Sequence, residues 1–202
     1  ACKTTEDGFV YYEDPNIGIC IIELPDSEEV EIPEYIEGKR VAQLGYKDIG
    51  LGYMNEYYVD GSKVKKLTVQ HHFEVYEQGA YANFSNLESL TYIDFIYCTQ
   101  GYQFFSMDEN NNKVIRVSNR VGGAYGKETL TVKLKKSEKA LNIENRNYEF
   151  DRINIPQYVT EIESGVFAGL SNVTIRTSYE SKPDGWEDGW NGDCLVEWGA
   201  DI

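Results

Sequence analysis

INIPQYVTEIESGVFAGLSNVTI, residues 153–175, carries apolar side chains at Ile153, Ile155, Val159, Ile162, Phe167, Leu170, Val173 and Ile175. Spacings of two at each end predict short strands whose alternate side chains share a face. The wider gaps between them fit a loop or a single helical turn, too short to be stable as a helix by itself. Pro156 removes a backbone donor just after the first strand, and Gly165 and Gly169 permit tight bends. One coil of this kind cannot bury its own apolar edge. It requires a copy above or below.

The same ruler finds copies. Counted from Ile155, Val159 is fifth, Ile162 eighth, Phe167 thirteenth and Leu170 sixteenth. Counted from Val69, Phe73 is fifth, Tyr76 eighth, Ala80 twelfth, Tyr81 thirteenth, Phe84 sixteenth, Leu87 nineteenth and Leu90 twenty-second. The next strand then begins at Tyr92, 23 residues after Val69, within the roughly 20–29 residues of a leucine-rich repeat. Val64, Leu67 and Val69 reproduce the ending of a coil that starts at Ile32-Pro33, and Phe150, Ile153 and Ile155 show that ending again.

IPEYIEGKRVAQLG (Ile32–Gly45), GAYANFSNLESLTYI (Gly79–Ile93) and the run from Ile155 to Ile175 resemble BspA-type leucine-rich repeats, the treponemal class. SKPDGWEDGWNGDCLVEWG (Ser181–Gly199) is similar to the segment that closes such arrays. The matching pieces cover a little over half the chain. In two places the pattern departs from the family: the last coil is a few residues short, and Asp94–Asn145 loses the pattern. The resemblance implies a β-rich leucine-rich-repeat solenoid, right-handed, with one parallel sheet on one face and short helical turns or loops on the other. It implies a single domain with an N-terminal capping hairpin over 1–28, repeats over 29–180 with a diverged segment at 94–145, and a Trp-rich C-terminal cap over 181–202. It also implies a bacterial secreted or surface protein used in adhesion.

Composition bounds the function. The 202 residues carry 19 basic and 34 acidic side chains, a net charge of −15, which repels nucleic acid and anionic membranes over long distances. With 41% hydrophobic residues and 16 Tyr, the chain is not of the disordered class. No run approaches the roughly 18–20 apolar residues needed to span a bilayer, and no signal peptide is visible, although a processed chain lacks one. Cys2, Cys20, Cys98 and Cys194 lie far apart without a CxxC spacing, which argues against zinc. Cys2 after Ala1 resembles a bacterial lipoprotein cleavage site. The plainer reading is an ordinary thiol near a trimmed end, and a Cys2–Cys20 bridge is a further alternative.

Elsewhere each chemical motif competes with a structural one. Gly8–Leu24 reads as a hairpin turned at Asp14-Pro15-Asn16 and Gly18. Glu37–Arg40 adds a turn, and the Gly/Tyr-rich loop Gly50–Gly61 either presents aromatics or packs Met54, Tyr57 and Val59 beneath itself. Adjacent His71 and His72 point to opposite faces of a strand, so they do not converge on one metal or proton. Phe95–Phe105 alternates enough for strand, and Asp108–Asn112 lacks the Gly and Glu of a calcium loop, so a hairpin tip explains it. Gly122, Gly123 and Gly126 lack the ending of a phosphate loop, and Lys133, Lys135, Lys136 and Lys139 are too few to reverse the global charge. Trp186, Trp190 and Trp198 either form a sugar platform or press onto Ile162, Phe167 and Val173 to close the last coil.

Alternation then picks out a solvent-facing row: Lys66, Thr68 and Gln70; Ser89 and Thr91; Arg152 and Asn154; Thr174 and Arg176. These are the expected partner-binding residues, facing a protein or glycan, although exposed strand positions are commonly Thr, Lys and Arg without any ligand. No GxSxG, HExxH or P-loop occurs, so the expected class is non-catalytic, without cofactor or metal. The alternatives are a structural spacer or carboxylate chemistry on a sugar.

Overall fold

The structure is a computed structural model that describes residues 1–50, 53–71, 74–75, 82–98, 105–119, 130–137 and 150–202. His72, Phe73, Tyr76, Ala80, Tyr81, Gly122, Gly123, Gly126 and Lys139 lie outside them, as do residues 99–104 and the side chain of Met54. The chain divides into two compact units, Ala1–Leu90 with Arg120–Leu130, and Thr91–Asn119 with Thr131–Ile202.

In chain order the first unit holds β1 (Lys3–Thr4), β2 (Val10–Asp14), β3 (Gly18–Glu23), β4 (Glu29–Ile32), β5 (Tyr35–Ile36), β6 (Lys39–Leu44), β7 (Tyr46–Gly50), β8 (Tyr53–Tyr57), β9 (Val59–Asp60), β10 (Lys66–Val69), β11 (Glu74–Val75) and β12 (Ala82–Asn83). Strands β2 and β3 form the hairpin read from Gly8–Leu24. Asp14 fixes its turn, one carboxylate oxygen accepting from the backbone N–H groups of Asn16 and Ile17 at 2.8 and 3.0 Å. The other accepts from the Tyr46 hydroxyl at 3.0 Å. Strand β3 then runs parallel to β6, and β6 parallel to β11. Glu37 and Gly38, both at positive φ (49° and 76°), make the two-residue turn between antiparallel β5 and β6. Strands β4 and β10 pair in parallel, Val30 beside Leu67 and Ile32 beside Val69, all four buried.

Strand β13 (Ser89–Ile93) lies at the boundary, and the second unit adds α1 (Phe95–Cys98), β14 (Phe105–Met107), β15 (Lys113–Arg116), β16 (Thr131–Lys135), β17 (Arg152–Ile155), β18 (Val159–Ile162), β19 (Thr174–Thr177) and β20 (Leu195–Glu197). Strands β15, β17, β19 and β20 are successive parallel neighbours, with Ile115, Ile153, Ile175 and Val196 in one registered row. Antiparallel β14 closes the β15 side through a tip at Asp108–Asn112. There Asp108 accepts from the Asn110 and Asn112 backbone N–H groups, each at 2.9 Å, and Asn111 takes a φ of 59°. The hairpin tip read at Asp108–Asn112 is therefore present, its Asp108 carboxylate engaged by the loop's own donors.

Two expectations are corrected. Phe95–Cys98 is one helical turn, not strand: Asp94 sits at a φ of 53° and its carbonyl accepts from the Cys98 N–H at 3.0 Å, which buries Phe95, Ile96 and Cys98. More broadly, the fold is not a leucine-rich-repeat solenoid built on one parallel sheet. Among the described residues the strands fall into five separate sheets, parallel, antiparallel and mixed. Val69 belongs to a different sheet from Ile155 and Ile175, so the residues that mark successive coils do not share one ladder. The physical reason lies at Pro156. Val159 N–H donates to its carbonyl at 3.0 Å, turning the chain, and Val159–Ile162 becomes a second strand that pairs with β16 instead of a return loop. Apolar pairs at spacing two thus feed two sheets, which a one-strand ruler reads as one.

Candidate functional site

The nine residues expected to form one solvent-facing row do not form one. Lys66 and Thr68 lie on β10 opposite Glu29 and Glu31 of β4, Gln70 follows β10 with its amide donating to the Ile32 carbonyl at 3.3 Å, and Ser89 and Thr91 lie on β13. Arg152, Asn154, Thr174 and Arg176 belong to a different sheet, that of β14, β15, β17, β19 and β20, in the second unit. There the grouping is close. Arg152 is registered with Thr174, and Asn154 with Arg176.

Registration extends that face on both sides. Asn154 is also opposite Arg116 of β15, and Arg176 is opposite Glu197 of β20, so one rung runs Arg116, Asn154, Arg176, Glu197. The rung beside it runs Val114, Arg152, Thr174, Leu195. Neighbouring strands stand about 4.8 Å apart, so three guanidinium groups share a small patch. Arg116 was missed because Asp94–Asn145 departs from the repeat, and Leu195 and Glu197 because residues 181–202 read as a cap and not as a further strand. The signal was nonetheless there: Arg116 sits between Ile115 and Val117 with a strand's alternation.

Most of the basic groups already have acidic neighbours. Lys66 pairs with Glu29 at 2.9 Å, Arg152 with Asp108 at 3.5 Å, and the Arg176 Nε–H donates to Glu197 at 2.8 Å. Hydrogen bonds from Asn112, helped by Arg152, hold the Asp108 carboxyl below the usual carboxylate range. Exposed Arg116 differs, having no ion pair among the described residues. Beside it in the rung, the Asn154 Oδ1 is shielded from solvent and accepts no hydrogen bond, an arrangement that buried polar atoms rarely keep. Together they offer a guanidinium without an ion pair among the described residues, an amide and the Thr174 hydroxyl on one sheet face.

The remaining candidates resolve as packing. His71 is buried, its Nε2 lies 2.9 Å from the Val41 carbonyl, and desolvation lowers its pKa. Trp186 and Trp190 are buried. Trp186 donates its indole N–H to the Val159 carbonyl at 3.1 Å, and the Trp190 ring meets Phe167 edge-on at 6.1 Å. Trp198 is the more exposed member of that cluster, 5.9 Å from Trp186 and 6.1 Å from Trp190. No disulfide joins Cys2, Cys20, Cys98 and Cys194. Burial pushes the Cys20 thiol up to about 12 and that of Cys194 to about 11. Among the described residues no three His, Cys, Asp or Glu side chains group to hold a metal, and no helix is long and apolar enough to cross a membrane.

Compared with known protein families, curated proteins and solved structures, the chain matches none. The likeness to BspA-type repeats therefore rests on the residues quoted above, and the sheets do not follow it.

Proposed function

We propose that this is a non-catalytic binding protein whose contact surface is the outer face of β15, β17, β19 and β20. The observation that carries the reading is the rung of Arg116, Asn154 and Arg176, in which an exposed guanidinium without an ion pair among the described residues adjoins an unsatisfied amide. A sheet face of guanidinium, amide and hydroxyl groups suits glycan hydroxyls together with one carboxylate, to which Arg116 offers a charge-assisted pair. A polyanion is disfavoured, since the net charge of −15 opposes its approach. The setting proposed with this reading is extracellular or the bacterial cell surface, supported by the repeat-like spelling of Gly79–Ile93 and Ile155–Ile175 and not by the fold.

A glycan array with neutral, sialylated and uronate-bearing members tests it. Retention is expected on glycans bearing a single carboxylate, falling about tenfold in Arg116→Gln with no change in melting temperature. Binding that Arg116→Gln leaves unaltered, or no retention on any carboxylated glycan, contradicts the proposal. A second reading, a structural spacer without a ligand, is favoured by the pairing of Lys66, Arg152 and Arg176 inside the chain. Under it, the array stays blank.

A further inference from the structure

Strand β20 has β19 on one side, and among the described residues no strand on the other. A strand presents half its N–H and C=O groups to each side, so β20 offers an edge that another chain can extend. Sheets often blunt such edges with short strands, charges or Pro; β20 is short and its one charge is the acidic Glu197, so what guards the edge is a group that attracts cations.

The side chains there are unusual for this protein. Leu195 is 75% exposed, the most of any large hydrophobic residue described, and Trp198 just beyond it is 37% exposed. Val196 continues the registered row of Ile115, Ile153 and Ile175, yet it is only partly buried, as a row end lacking one neighbour must be. Charge adds a direction. Between Glu180 and Asp201 the chain carries seven acidic residues against Lys182 alone, and the exposed Glu197 and Asp193 flank the edge.

We propose that the β20 edge is a docking site for an extended cationic peptide, which adds to the sheet as its next strand. The period of two supplies the match. On the core side the peptide's apolar residues cover Val196 and meet Trp198. On the outer side its Lys or Arg groups share Glu197 with Arg176 while their aliphatic stems lie over Leu195. A strand of this length makes a small contact, so the complex is transient. This site is the edge of the sheet whose outer face is proposed above, and because it makes no use of Arg116 the two are tested by different variants.

The probe is a short capped peptide of alternating lysine and valine, compared with a lysine–proline peptide of equal length and charge that cannot donate the backbone bonds. Saturable binding, read by Trp fluorescence, is expected for the first peptide and absent for the second. Hydrogen exchange at Val196 and Glu197 should slow when the first peptide is bound. Leu195→Gln, at an exposed position that folding does not need, weakens binding about tenfold. Equal binding of both peptides, which is attraction to net charge alone, overturns the proposal, as does affinity unmoved by Leu195→Gln. No binding of the lysine–valine peptide overturns it too. A dimer that Leu195→Gln dissolves also overturns it, assigning the edge to a second copy.

Discussion

His71 illustrates how one buried side chain ties stability to pH. Burial opposes its imidazolium, with Arg40 adding to the effect and the Val41 carbonyl and Glu34 opposing it. The folded chain therefore takes up this proton at lower pH than the unfolded chain, whose histidine titrates near about 6.5. Above that value neither state is protonated and the contribution to stability is whole. As pH falls below it the unfolded state binds more protons, so stability declines. Carboxyls held low by hydrogen bonds, such as Asp14 and Asp60, act at more acid pH, which leaves a window between about 4.5 and 6.5. Urea unfolding across that window should show stability falling with pH in the wild type and a flatter profile in His71→Gln. Equal slopes would show that His71 is not held neutral. Trp186 makes the same point for packing. Fully buried, with rings of Trp190 and Tyr179 at 4.6 and 5.3 Å, its replacement by Ala is expected to destabilise by about 3–5 kcal/mol in urea titration. Its burial was legible in the sequence, because three tryptophans near a chain of apolar rungs have few other places to go. That His71 would be buried was not, since nothing in its neighbours distinguishes an inward histidine from an outward one.

Among elements, the alternation of single strands was easier to read than their partners. Ile153 and Ile155, Leu67 and Val69, and Phe9 to Leu24 all announce strands and a hairpin. Which sheet each strand joins is set by contacts far away in the chain, and a spacing rule carries no record of them. The turn at Pro156 shows the consequence, because Val159–Ile162 reads equally well as the return side of a coil or as strand β18. Its partner on the other side is the backbone at Gly185: Ile162 N–H donates to the Gly185 carbonyl at 3.1 Å, and Glu187 N–H to the Ile162 carbonyl at 2.8 Å. A Cβ at residue 185 would overlap the Thr160 carbonyl oxygen, backbone that cannot swing aside. Gly185→Ala is therefore expected to destabilise by about 1–3 kcal/mol and to speed amide exchange at Ile162 and Glu187 specifically. Wild-type exchange there would contradict the close approach.

For the whole molecule, the candidate site was half legible. Arg152, Asn154, Thr174 and Arg176 were found by alternation alone and do share a face. Lys66, Thr68, Gln70, Ser89 and Thr91 were grouped with them only by assuming a single ladder; Arg116 was lost with the irregular segment, and Leu195 and Glu197 were taken up in the Trp-rich cap. Both proposed sites depend on one registered row, Ile115, Ile153, Ile175 and Val196, because that row aligns Arg116 with Asn154 and leaves Val196 at an edge. Methyl-to-methyl nuclear Overhauser contacts test it most directly. Contacts are expected from Ile115 to Ile153, from Ile153 to Ile175 and from Ile175 to Val196. Contacts from Ile153 to Leu67 or Val69 in place of Ile115 would contradict the account.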